Sequence, residues 1–430
     1  MVTDFDAIII GAGPAGSAAA ILLARAGWAV ALVEKQPFPR RKVCGECIAA
    51  SNLPLLEALG IGPAFECAAG PELRKVALMR QDHRIVADLP AASHNKYRWG
   101  RALGRETLDT LLLAQARSAG VHVLQPWSLQ GFTGAAGDWH CQLHGVASQT
   151  PLTLRAAVAI DAHGSWEALP SDRATRRLAR SASDLFAFKA NFREAKLEEG
   201  LLPVLSFIGG YGGMVVADAG VTTVACCVRR DHLEAWRNRS PGLSAGDVVE
   251  AMLKRACGGV RSALQGASRE GPWLAAGPLD PKIRLRANET VFRIGNAVGE
   301  AHPIIGEGMS MALQSAWLLC AHLLSSTRRQ ELSDAAWQRE VGHSYAAQWR
   351  RQFAPRLRLA AAFAHLAMRP ISGAMLVALA ESWPQLLTQG ARWAGKARCA
   401  ADPALASLAA RLSGVEDDAS AAPTFASHSI

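Results

Sequence analysis

The chain has 430 residues, enough for two or three packed units, each with its own core. Half of its residues are apolar and 19% are charged, a globular composition that excludes a disordered chain. The formal net charge of +9 suits a solvated basic face, an anionic membrane surface or nucleic acid. No helix-turn-helix pattern and no cluster of aromatic and basic residues supports the last of these, so no nucleic-acid partner is expected.

In chain order, an apolar run, Ala7-Ile8-Ile9-Ile10, leads into Gly11-Ala12-Gly13-Pro14-Ala15-Gly16. An Ala-rich helix-forming stretch, Ser17 to Ala26, follows, and a second apolar run from Ala29 to Val33 ends in Glu34. Strand, glycine turn, helix, strand and acidic residue fit within the roughly thirty residues of a dinucleotide-binding βαβ unit. Gly11 permits the tight turn, Gly13 lets the backbone approach a pyrophosphate, and Gly16 lets helix and strand pack closely. The helix N-terminus at Pro14 and Ala15 faces the phosphates with free N–H groups and its positive dipole end. Glu34 is placed to accept hydrogen bonds from ribose hydroxyls. Lys35 and Arg41, in the basic loop from Lys35 to Lys42, are assigned to the same cofactor site.

Beyond that loop the alternation from Leu73 to Leu89 predicts two strands around Gln81-Asp82-His83. A helix is predicted from Glu106 to Ala119, capped by Gly120, then a short strand from Val121 to Leu124. A hairpin around Gly134 to Gly137 and a buried strand from Ala157 to Asp161 come next. Strands at Gly213–Val216 and Thr222–Val228 and a helix from Ala245 to Cys257 follow. Val291 to Asn296 resumes the strand-then-glycine pattern, and Gly308 to Leu324 reads as a strong helix. Residues 1–72, 100–169 and 285–330 are therefore expected to form a discontinuous dinucleotide domain. Residues 73–99 and 170–284 form a mixed-sheet substrate domain, 331–415 a helical C-terminal region, and 416–430 a disordered tail. The acidic N-terminus lacks a cleavage site, no uninterrupted apolar run reaches spanning length, and nine irregularly spaced cysteines suit reduced thiols. A cytoplasmic location is expected, with membrane-peripheral contact as a further reading.

Four spaced elements carry a family resemblance. They are Gly11/Gly13/Gly16 with Glu34; Arg105 heading a helix with Leu108-Asp109 and Leu111-Leu112; Ala162-His163-Gly164-Ser165 after a strand; and Gly295-Asn296-Ala297 followed by Pro303-Ile304-Ile305-Gly306-Glu307-Gly308-Met309. Over about residues 4 to 325 the chain resembles the FAD-dependent aromatic hydroxylase superfamily, which also holds geranylgeranyl reductases and flavin-dependent halogenases. Lys42-Val43-Cys44-Gly45-Glu46 is similar to the Lys-Pro-Cys-Gly-Gly stretch of the geranylgeranyl reductases. The Cys-Gly-Glu, His-Gly-Ser-Trp and Gly-Gly-Tyr-Gly-Gly segments are similar to those of oxidoreductases associated with phenolic-lipid and polyketide biosynthesis. The resemblance implies an α/β, doubly wound, glutathione-reductase-like FAD-binding domain with an inserted mixed-sheet substrate domain. It also implies that Cys44, Gly45, Arg105, Asn296, Gly306, Gly308 and Met309 contact FAD. The helix starting near Gly308 would direct its dipole at the N1–C2 carbonyl edge of the flavin, which becomes anionic on reduction.

Some residues depart from the family pattern or leave alternatives open. His163 stands where the family has Asp, so an acidic contact is expected to be missing, and Asn296 replaces a usual Asp. No segment resembles the Trp-x-Trp-x-Ile-Pro motif of tryptophan halogenases, which counts against halogenation; Trp166 and Trp273 stand alone. The glycines around Tyr211 imply either a backbone close to the flavin face or substrate, or a glycine-rich hairpin. Cys44 and Cys47 form a Cys-x-x-Cys readable as flavin-pocket lining, a redox pair or half a metal site, and no metal is expected. Glu46 reads as a general acid over the flavin or as a solvated loop carboxylate. Among Glu300, His302 and Glu307, His302 is a candidate proton donor, and Glu46, His302 and Tyr211 are the catalytic candidates. The C-terminal helices read as packing on the substrate domain or as a membrane-surface patch. The leading expectation is an FAD-dependent monooxygenase. NAD(P)H would serve as a transient reductant, and one oxygen atom of O2 would pass to a hydrophobic phenolic or polyketide-type substrate. The alternatives are an isoprenoid double-bond reductase and a non-catalytic flavin-binding protein.

Overall fold

The computed structural model describes residues 2–148, 150–165, 180–285, 290–325 and 329–395. Trp166 and the tail expected at 416–430 lie outside these residues. In the first sheet, strands His122–Leu124, Val30–Val33, Val2–Ile10 and Pro151–Asp161 lie side by side and parallel, and Phe292–Arg293 joins the end of the last. Ile8, Ile9, Ala31 and Leu32 are fully buried, as parallel strands covered on both faces require. Helices Pro14–Arg25, Arg105–Ser118 and Gly308–Leu323 pack together on one face. The hairpin Trp127–Ala135/Asp138–Gly145 covers the other, bringing Trp139, Cys141 and Leu143 against Ile8, Ile10 and Val33. The glycine-turn helix, the Arg105 helix and the late Gly308 helix thus meet on one side, although nearly three hundred residues separate the first from the last.

Among the described residues the second sheet has eight strands: Ser268–Arg269, Leu185–Arg193, Thr222–Arg229, Gly210–Val216, Leu201–Phe207, Lys75–Arg80 and His83–Asp88 in spatial order, with Leu274–Leu279 also paired to Leu185–Arg193. Because side chains alternate along a strand, its two faces have different chemistry. Phe188, Phe192, Met214, Val224 and Val228 face one way, into a core with Val248, Val249, Met252 and Leu253 of helix Ala245–Ala256. On the other face, Ala187, Tyr211 and Cys227 pack against Ala364, Ala367 and Met368 of the long helix Ala335–Met368, with Ile304 of the loop before Gly308 in the same cluster. Lys189 shares the strand parity of Ala187, and Thr223 that of Cys227, so this face also carries polar groups toward the first domain. Helices Pro370–Ser382 and Gln385–Trp393 continue across strands Lys75–Arg80 and His83–Asp88.

Candidate active site

Gly11 has φ +106°, and a Cβ there would stand 2.5 Å from the Ala162 carbonyl oxygen. A Cβ on Gly16 would stand 1.8 Å from the Gly11 oxygen, so close helix–strand packing requires glycine at that position. Gly13 differs: the nearest atom to a Cβ there is Arg105 Nη2 at 3.7 Å, which leaves its backbone facing the open end of the turn. Pro14 begins the helix and Ala15 is buried beside it, where a Cβ on Gly295 would approach the Ala15 methyl to 3.0 Å. The strand-end glycine at 295 therefore docks directly on the N-terminal glycine turn.

Charge gathers at this cradle. Buried Glu34 accepts hydrogen bonds from Ala12 N at 3.0 Å, Gln36 N at 2.9 Å and both terminal nitrogens of Arg40 at 3.2–3.3 Å. Arg105 forks onto Asp109 with two 2.7 Å bonds, one turn along its own helix. Burial, reinforced by Arg105 and Arg40, brings the Lys42 ammonium down to about 8. Three cations thus converge where the helix N-terminus points, an arrangement suited to a pyrophosphate. Arg41, the expected contact, is exposed and turns away to Glu106 and to the Glu270 carbonyl. In an extended loop successive side chains diverge, and Arg40 and Lys42 are the residues that face inward. Lys35 is partly buried just beyond Glu34.

Around the flavin end, Asn296 donates from Nδ2 to Ser165 Oγ at 2.8 Å, and Gly306 has φ +62° at the close of the turn Pro303–Ile305. Helix Gly308–Leu323 starts immediately beyond, with Met309 buried in its first turn. A Cβ at Gly45 or at Gly308 would meet no atom within 4 Å, so both backbones border space that a flat ring can enter. Cradle and ring space together fit an FAD. An acid does stand near His163: Asp161 Oδ1 accepts the His163 backbone N–H at 3.1 Å and contacts its Nδ1 at 2.7 Å. Burial opposes ionisation of Asp161, but the His163 hydrogen bonds and the Arg293 charge hold it below the usual carboxylate range. The acidic group expected to be missing has moved two residues back, onto the strand.

Glu46 is fully buried, which removes the solvated-loop reading, and its φ of +57° turns the chain sharply after Gly45. Its carboxylate pairs with the equally buried Lys189 and accepts from Arg105 N at 3.0 Å and Thr223 Oγ1 at 2.5 Å. Cys44 Sγ accepts the Glu46 N–H at 3.4 Å, and no disulfide joins Cys44 to Cys47. The glycines flanking Tyr211 have a packing cause. A Cβ on Gly210 would meet the Phe207 ring at 2.2 Å, and one on Gly212 would meet the Ala225 oxygen at 2.6 Å. They serve the hairpin rather than a flat ligand. Tyr211 itself is buried, and its hydroxyl lies 3.1 Å from His302 Nδ1. Desolvation, with a contribution from His365, lowers His302 to about 4, and burial holds the Tyr211 phenol well above its ordinary value. Glu300 accepts from Arg284 and the Asp280 N–H at 3.3 Å, and Glu307 is buried with Arg356 at 3.8 Å. Sequence reasoning passed over Arg40, Lys42, Lys189, Thr223 and Asp161; Arg40 and Lys42 lay in a basic loop already noted.

Residues 4–340 match the FAD binding domain family. The chain belongs to this family. It is an FAD-dependent oxidoreductase. Among curated relatives it is 25% identical over 327 residues to a tryptophan 2-halogenase of Chondromyces crocatus, covering 74% of this chain and 60% of the halogenase. It is 34% identical over 119 residues to a menaquinone reductase of Mycobacterium tuberculosis, 28% of either chain. The match thus spans less than two thirds of either relative. Among solved structures, the flavin-dependent brominase Bmp2 superposes with a TM-score of 0.74 at 15% identity, covering 97% of this chain and all of the brominase. PqsL, a probable FAD-dependent monooxygenase of Pseudomonas aeruginosa, superposes at 0.63 and 16% identity over 85% of this chain and 95% of PqsL. A geranylgeranyl bacteriochlorophyll reductase-like protein of Thermoplasma acidophilum superposes at 0.67 and 15% identity, covering 97% and 100%. This FAD-binding flavoenzyme therefore shares its fold with monooxygenases, halogenases and reductases alike.

Proposed function

We propose that this flavoenzyme is a monooxygenase acting on a hydrophobic phenolic or polyketide-type molecule, with NAD(P)H as reductant. The supporting observation is the Tyr211–His302 pair, set in an apolar cluster with Leu185, Leu279, Ile304 and Met368 beside the flavin loop. Bound FAD supplies electron transfer and oxygen activation; Gly13, Arg40, Lys42, Arg105, Asn296, Gly306 and Gly308 would hold it. At neutral pH His302 is uncharged, and we assign its Nδ1 as the acceptor from the Tyr211 hydroxyl, which would leave the ring proton on Nε2. Nε2–H is then a fixed donor for a phenolic or carbonyl oxygen of the substrate, and Tyr211 fixes the ring's tautomer. The apolar lining excludes water, which strengthens that hydrogen bond and selects a greasy ring. Buried Glu46, with its cationic partner, serves as a positioning residue that ties the Cys44–Gly45 turn to the substrate sheet.

The halogenase relatives favour a second reading, oxidation of halide for transfer to an aromatic ring. One experiment separates the readings. Purified protein is given FAD, NADPH, bromide and a lipid extract of a strain lacking the gene, under 18O2. A product gaining one heavy oxygen is expected. A brominated product would replace monooxygenation with halogenation, and a gain of two hydrogens without oxygen would replace it with double-bond reduction.

A further inference from the structure

The helix Pro370–Ser382 is apolar on both its sides, and only one side is packed. Gly373, Val377 and Ala380 are buried, the last two clustering with Leu78 and Ile85 of the substrate sheet. The opposite side runs at four-residue spacing through Ile371, Met375, Leu379 and Trp383, which are 76, 67, 42 and 64% exposed. Leu386 and Trp393 on the next helix extend it, at 41 and 67% exposed. This face is held rigidly. Buried Arg80 donates to Ser206 Oγ and to the carbonyls of Ala367, Arg369 and Pro370 at 2.8–3.3 Å, pinning the corner where the chain bends by 104°. At the far end Thr388 Oγ1 donates to the Asp88 carbonyl at 2.7 Å.

We infer that this face docks on an anionic lipid bilayer. A helix with one packed side and one exposed apolar side lies along the interface, and exposed tryptophans mark the headgroup level. Among the described residues, no single helix is long and apolar enough to cross a membrane, and the bent pair that ends here has its inner side committed to the sheet. Charge fixes the kind of surface. Residues 369–395, which form the corner and both helices of this face, carry Arg369 and Arg392 against one acid, Glu381, which is itself engaged by His83 at 2.6 Å. Both arginines are exposed. A second copy of this chain would set one arginine-bearing face against another, whereas anionic headgroups complement it. Behind this surface the long helix places Ala364 and Met368 against Tyr211, so the interface lies one helix away from the candidate site. That position suits delivery of a lipid-soluble substrate, but docking stands independently of the proposed chemistry.

The test is flotation of the full-length holoprotein with vesicles of equal parts phosphatidylglycerol and phosphatidylcholine, against pure phosphatidylcholine, with no turnover measured. Co-flotation with the anionic vesicles, suppressed by high salt, is expected. The exposed-face variant Ile371→Gln/Met375→Gln/Trp383→Gln should lower partition by about tenfold or more while retaining its flavin absorbance. Arg369→Gln/Arg392→Gln, a second variant remote from the core, should weaken binding and flatten its salt dependence. Failure to float, equal flotation with neutral vesicles, or unchanged binding by both variants would overturn the inference. So would a dimer in light scattering that the exposed-face variant dissociates, which would assign the face to a second copy.

Discussion

Replacing Glu46 by its isosteric amide separates a counter-charge from a proton donor. Glu46 and Lys189 are 1 and 2% exposed and join the FAD-binding half to the substrate sheet. In Glu46→Gln the Lys189 ammonium stays buried without a counter-charge, and breaking a buried pair on one side costs about 3–5 kcal/mol. Thr223 can turn its O–H to Asn191 Oδ1, 3.1 Å away, so the loss falls mainly on Lys189. Adding Lys189→Met removes the stranded charge and should bring stability back to within about 1 kcal/mol of the parent, a recovery of roughly 2–4 kcal/mol over the single variant. Urea unfolding, followed by flavin release and by tryptophan emission, measures all four corners of the cycle. A Glu46→Gln variant with the parental midpoint, or a double variant no more stable than the single, would refute the reasoning. Turnover in the double variant decides the role. Recovery alongside stability marks Glu46 as a positioning residue, whereas a stable but inactive enzyme assigns it to the chemistry.

The two glycines of the cradle should fail differently. Gly16→Ala forces a methyl onto the Gly11 carbonyl and should yield insoluble or flavin-free protein, while Gly13→Ala should keep the parental urea midpoint and lose FAD affinity about tenfold or more in a fluorescence titration. His302, lowered to about 4 from its ordinary 6.5, contributes stability that is complete above pH 6.5 and is lost as pH falls toward 4, about 3 kcal/mol in all. Unfolding midpoints across that window should therefore fall more steeply for the parent than for His302→Gln; parallel curves would contradict the assignment. Arg80→Met removes the donor that three carbonyls at the helical corner share, leaving Ala367 its bond from Ser206 Oγ, and hydrogen exchange across residues 367–382 should accelerate by at least about tenfold, with the glycine turn unaffected.

What the sequence made legible follows the range of the interactions involved. Gly16 could be read directly because strand, turn and helix are contiguous and the clash it avoids comes from the Gly11 carbonyl of the turn itself. Gly11 could be read from its place in the turn, although the carbonyl it avoids belongs to distant Ala162. The Gly308 helix was legible for the same reason, from a strand-end glycine and a proline ahead of an apolar run. Arg40 and Arg41 are adjacent in a loop with no periodic pattern, so composition could mark the loop as basic and not say which side chain turned inward. The Glu46–Lys189 pair spans 143 positions and the Tyr211–His302 pair 91, and each depends on the parity of a strand in a second sheet. Parity follows from register, and register is set by packing across the sheet rather than by any local signal. The glycines beside Tyr211 show the converse: their meaning lies in the Phe207 ring and the Ala225 carbonyl, partners that only strand pairing supplies. Helix Pro370–Ser382 marks the limit of periodicity as a guide. A helix apolar on both sides carries no sequence signal for which side is buried, so the outward face became visible only once Gly373, Val377 and Ala380 were seated on the sheet.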